Sequence, residues 1–144
     1  MGAKYLVSRA AIAASTTTDT LTITAPSNRS LKVWAVRPKN ESITAAACRI
    51  LMSRSTGGAT PVAITPQPTH PDYAAATFTA ASGWTTQPTL GVTLDRFNMT
   101  GVGATDPRVY SPGLEIEIPA GGQVSFRSET GTNLVGLDVL VEQV

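Results

Sequence analysis

The chain has one cysteine, one histidine and few charged residues. A lone Cys48 excludes an internal disulfide and points to a reducing compartment. With only Cys48 and His70 to draw on, no zinc site of the usual ligand set can be built, so neither a metal nor a cofactor is expected. Asp, Glu, Lys and Arg make up 15% of the residues, well under the ~25% of a typical soluble protein. Serine, threonine, alanine and glycine fill the gap. This predicts a neutral, hydroxyl-rich exterior, better suited to lying against protein than to steering a charged ligand. The net charge is +1 and the basic residues are scattered singly. Without a basic stripe carrying interleaved aromatics, nucleic-acid binding has no support. No apolar run approaches the ~20 residues of a membrane span, so no membrane partner is expected. Arg9 interrupts the apolar opening segment, which argues against a signal peptide. Leu6 stands where a myristoylation site requires Ser or Thr.

What is present is alternation. From Tyr110 to Val144, Leu114, Ile116 and Ile118 alternate with Glu115 and Glu117. Val124 and Phe126 alternate with Ser125 and Arg127. Leu137, Val139 and Val141 alternate with Asp138, Leu140 and Glu142. A period of two places one face in the core and one in water, which predicts three half-buried antiparallel strands. Pro119–Gly122 and Glu129–Asn133 are the turns between them.

Upstream, Leu21 and Ile23 predict a short strand. Leu31–Arg37 predicts another, apolar on both faces (Leu31, Val33 and Ala35 against Lys32, Trp34 and Val36), and hence central or facing a partner. Thr44–Arg54 predicts a long strand with Ala46, Cys48, Ile50 and Met52 on its core side. Pro61–Thr65 is a short strand at best. The three prolines of Pro66–Pro71 forbid a central strand there. Ala74–Ala80 reads as a strand around Phe78, and Leu90–Met99 as one with Val92, Leu94 and Arg96 on one side. No window has helical periodicity. Eight to ten strands at sandwich-like spacing predict an all-β fold, an antiparallel two-sheet jelly-roll sandwich over residues 16–144. Residues 1–15 carry Tyr5, Leu6, Val7 and Ile12 among alanines. They read as an extended N-terminal arm that docks on something else, or as an edge strand.

The candidate chemistry is sparse. His70 sits between Thr69 and Pro71 with nothing to place a nucleophile beside it. Glu115 and Glu117 share the spacing of paired glycosidase carboxylates, but any solvated strand face alternates in this way. Trp34 and Trp84 could stack on sugar rings, although core or subunit-contact roles are commoner for aromatics. No catalytic residue is assigned, and the chain is not expected to be an enzyme. The candidate contact residues are Tyr5, Leu6, Val7 and Ile12 of the opening segment, with Trp34 and Trp84.

Four blocks carry a resemblance: Tyr5–Ile12, Ser53–Pro61, Thr85–Gly91 and Pro112–Ser128. Together they resemble small proteins encoded by tailed bacteriophages, and the jelly-roll cement or decoration proteins of phage heads. The resemblance implies a homotrimeric β knob on the outer capsid surface, with the major capsid protein and itself as partners. It would be made in the host bacterial cytoplasm and reside on the virion. The alternative is a receptor- or carbohydrate-binding jelly-roll module of a virion fibre or tail.

Overall fold

A computed structural model describes residues 2–43, 46–130 and 133–144. Among the described residues there is no helix, and the strands are β1 (Lys4–Ala13), β2 (Asp19–Thr24), β3 (Leu31–Asn40), β4 (Cys48–Thr56), β5 (Val62–Ile64), β6 (Gln67–Pro68), β7 (Thr79–Ser82), β8 (Thr89–Met99), β9 (Arg108–Val109), β10 (Ile116–Ile118), β11 (Gln123–Thr130) and β12 (Leu134–Gln143). They form two antiparallel sheets. The first runs β10-β3-β12-β1-β6, with β9 also beside β3, and the second runs β5-β7-β2-β11-β4-β8. Pairing is nested: β1 with β12, β2 with β11, β3 with β10 and β4 with β8. The three strands predicted from Tyr110 onward are therefore not neighbours. The turn at 119–122 carries the chain from the first sheet to the second; of the predicted turn Glu129–Asn133, Glu129 and Thr130 end β11 and residues 131–132 lie outside the described residues.

The apolar faces of the two sheets meet as a β-sandwich. Tyr5, Val7, Leu31, Val33, Ile118, Leu137, Val139 and Val141 of the first sheet are buried, as are Leu21, Ile23, Ile50, Met52, Phe97, Met99, Val124 and Phe126 of the second. Cys48 joins this core, where burial pushes its thiol up, partly opposed by a hydrogen bond with Ser128. Phe78 also enters it, but from just before β7 rather than from mid-strand.

Bulges explain where strict alternation fails. Val33 pairs with Val141 and Ala35 with Leu140, so Trp34 is the extra residue of a β-bulge. Beyond it the phase inverts, and Val36 rather than Ala35 faces the core. The mixed faces of this strand thus have a local cause, and β3 is central as expected. In β1, Ala10 and Ala11 stand opposite the single Gly136, which returns Ile12 to the inner face. In β8, register shifts opposite Met52–Ser53 and Ser53–Ser55 leave Val92 71% exposed and put Phe97 and Met99 inside instead. The predicted strand over 44–54 begins at Cys48 and runs to Thr56, with Thr44 and Ala45 outside the described residues.

Of the segment read as an arm or edge strand, Lys4–Ala13 forms β1, a strand of the chain's own sheet next to the two-residue edge strand β6. β1 pairs along its length with β12, and on its other side Tyr5 and Leu6 pair with β6 while the Lys4 carbonyl accepts the Thr69 N–H at 3.0 Å. Two buried side chains, Tyr5 and Val7, tie it to the core, and the Tyr5 hydroxyl donates to Ala74 O at 2.7 Å. The proline-rich loop contributes only two residues to the sheet, at its very edge, where a missing N–H does no harm.

The sheets are joined at one side by a polar cluster. Arg108 on β9 bonds Asp95 of β8 at 2.9 Å and also reaches Asp106, while the Tyr110 hydroxyl donates to Asp95 at 2.7 Å. Burial pushes the Tyr110 phenol up, and its bond to Asp95 adds to the shift. Burial also pushes the Asp106 carboxyl up, but Arg108 and the Asn98 N–H outweigh it and hold the group below its usual range.

Candidate functional site

The two outer sheet faces differ, and the difference selects the candidate site. Over β2, β11 and β4 the outer face of the second sheet is already covered. Thr22, Ser53, Ser55 and Ser125 form a buried hydroxyl seam there, with Ser125 donating to Ser55 at 2.7 Å. The loop 83–88 lies over it: Trp84 Nε1 donates to Thr22 Oγ1 at 3.1 Å, and the Asp19 N–H donates to Gln87 at 2.9 Å. Beneath the loop, Arg127 bonds Asp19 at 2.6 Å and the Pro88 carbonyl at 3.0 Å. Gly58 permits the close fit, because a Cβ there would stand 2.6 Å from the Trp84 ring and the backbone has a φ of +99°. Part of the abundant Ser and Thr predicted for the exterior is therefore spent inside.

Among the described residues no such layer covers the outer face of the first sheet. Leu6 lies opposite Leu140, Leu140 opposite Ala35, and Ala35 opposite Val109, making an apolar row across four strands. Leu6 is 36% exposed and Val109 79%. The row floors a groove of about 280 Å³. Charged rows flank it. On one side are Ser8, Asp138 and Arg37, with Ser8 donating to Asp138 at 2.6 Å and Arg37 paired with it at 3.1 Å. On the other are Lys4, Glu142, Lys32 and Glu117, each opposite the next. Glu142 is drawn under the bulged Trp34, whose Nε1 donates to it, and it also accepts the Gly2 N–H at 2.7 Å. The Lys4 ammonium sits 4.9 Å from the centre of the Trp34 ring, a cation–π contact.

Past the Ser8 row is a cavity of about 340 Å³ that brings Arg9, Arg37 and Lys39 together with Glu41 and Asp138. Arg9 Nε is shielded there without a hydrogen-bond acceptor among the described residues. Among the described residues the cavity is lined by no histidine, cysteine or tyrosine, and its hydroxyls are those of Ser8, which donates to a carboxylate, and Thr105. It offers charge and hydrogen bonding but no paired nucleophile and base.

The expected contact residues divide. Leu6 and Trp34 lie on this open face. Ile12 is half-buried at the strand end. Tyr5 and Val7 point into the core and are out of reach of any partner that docks on the folded chain, because β1 is a strand of its own sheet. Trp84 is committed to the chain's own loop layer. Sequence reasoning missed Leu140, Ala35 and Val109. The available signal was Leu140 itself, an apolar residue on the predicted wet side of β12.

The other candidates serve their own turns. The His70 Nδ1 accepts the Asp72 N–H at 3.2 Å, and its ring lies 5.4 Å from Tyr73. Glu115 precedes β10 and accepts the Gly113 N–H at 2.8 Å. Backbone N–H groups, its own and that of Gly113, hold its carboxyl below the usual range. Only Glu117 stands on the strand, opposite Lys32. Among the described residues no group of three or more His, Cys, Asp or Glu is placed to hold a metal ion. The class defined by fold and site is thus an antiparallel β-sandwich with one self-covered face and one open, partly apolar face. No family model matches the chain, and no curated protein matches it.

Proposed function

We propose that this chain is a structural, non-enzymatic component of a bacteriophage head, binding the outer capsid surface as a cement or decoration protein. Its partners in this reading are the major capsid protein and further copies of itself, as a homotrimer, and its place is the virion surface. The four sequence blocks carry the resemblance. The nested strand pairing supports the jelly-roll part of the reading, since rolling up one long hairpin pairs first strand with last and second with second-last. The observation that carries the binding role is the contrast between the outer faces. One is sealed by the chain's own loop, and the other leaves an apolar row in water between charged rows, a composition suited to partial burial against protein. The carbohydrate-binding alternative draws little support from the tryptophans, because the Lys4 ammonium lies over the Trp34 ring and Trp84 is packed against Gly58 in the chain's own loop layer.

A cement protein acts by adding contacts across capsomer junctions, each small but repeated by symmetry. Heads made without this chain are expected to rupture at lower temperature, and adding the purified protein back should restore the loss at saturating occupancy. Heads that neither bind the added chain nor gain heat resistance would remove this function.

A further inference from the structure

We propose that the open face of the first sheet pairs with the same face of a second copy, about a two-fold axis running along the strands between β3 and β12. The inference concerns self-recognition and stands whether or not a capsid is the partner.

The strand registers supply the argument. A two-fold axis along that seam exchanges β12 with β3 and β1 with β9 and β10, while keeping each row at its own height. It sets Leu6 over Val109 of the second copy and Leu140 over Ala35, so the apolar row meets itself. In the Ser8 row it sets Asp138 over Arg37, and in the other charged row Lys4 over Glu117. Each of these charges meets its opposite. A two-fold axis running across the strands instead brings the two charged rows together. It places Lys32 over Arg37, pairing like with like, which costs free energy on desolvation, and sets Asp138 over the Trp34 that covers the buried Glu142. The face is therefore self-complementary for one orientation and self-repelling for the other. Strand directions stay aligned in the favoured one, as in ordinary face-to-face sheet packing.

The area limits the strength. Four strands over about six residues of length make a patch on the order of 400 Å² per partner. That is about half of the ~800 Å² per partner in a standard stable interface. Association in dilute solution should be weak and reversible, and stronger where copies are held at high local concentration.

Sedimentation equilibrium from about 10 µM to about 1 mM is the test. The average mass is expected to rise with concentration toward a doubling of the smallest species, from one chain to two, or from three to six if a trimer forms first. Val109→Asp, at a largely exposed site, and Leu140→Asp should abolish the rise while leaving the melting transition in place. Arg37→Asp should weaken association at least tenfold, and adding Asp138→Arg should restore it, since the double exchange rebuilds the facing pair. A mass that stays constant at one chain or three overturns the two-fold pairing. A constant three leaves the capsid reading intact. Association that survives Val109→Asp and Leu140→Asp also overturns the proposal, because it must use another surface.

Discussion

Replacing Arg127 by alanine is expected to destabilise the fold by about 3–5 kcal/mol, the range for breaking a buried ion pair by removing one partner. The Asp19 side chain is fully shielded and Arg127 is 13% exposed. Asp19 also accepts the Thr22 hydroxyl at 2.6 Å, but that bond alone does not neutralise a carboxylate held away from water. The same substitution releases the Pro88 carbonyl and so loosens the loop that seals the second sheet. For a chain of this length the melting temperature should fall by roughly 10 °C or more. Arg37→Ala is the control. Its pair with Asp138 is 64% and 33% exposed, and such pairs contribute about 0–1 kcal/mol. Thermal melts of the two variants should differ plainly. Equal losses would mean that the loop does not shield Asp19 as described.

Deleting residues 2–13 should prevent folding rather than yield a folded domain without an arm. The deletion removes a strand from between β12 and β6 and takes two buried side chains, Tyr5 and Val7, out of the core. A buried aromatic covers about 150–250 Å². At ~25 cal/mol per Å², that residue alone represents about 4–6 kcal/mol of apolar burial. A whole domain is stable by about 5–15 kcal/mol. The truncated chain should be recovered insoluble, or should show no cooperative melt by circular dichroism. A soluble truncation with a sharp transition would return residues 2–13 to the status of an arm.

Strands β11 and β12 are legible in the sequence, whereas β1, β3 and β8 are not. Alternation identified the inner faces of β11 and β12 correctly, because Val124, Phe126, Leu137, Val139 and Val141 follow an unbroken period of two. The same rule failed wherever a bulge inserted a residue, at Trp34 in β3, at Ala10–Ala11 in β1 and along β8. No local residue type announces those bulges, which exist to keep long strands in register with their partners. The opening segment reads equally as an arm or an edge strand because its partner lies more than a hundred residues away, at β12. The candidate face suffered for the same reason. Leu6, Ala35, Val109 and Leu140 form a row only after four distant strands are brought side by side. The buried Asp19–Arg127 pair was equally hidden, since nothing in either residue's neighbourhood reveals a loop arriving from residues 83–88.

Under the proposed role the chain belongs to a virion, and subunit-resolution imaging of that particle tests the role directly. The predicted result is density for the β-sandwich on the outside of the head, repeated over the shell at local three-fold positions, with at least one sheet face in contact with protein. Density confined to a tail or fibre, or heads that carry none of it on their outer surface, would contradict that role.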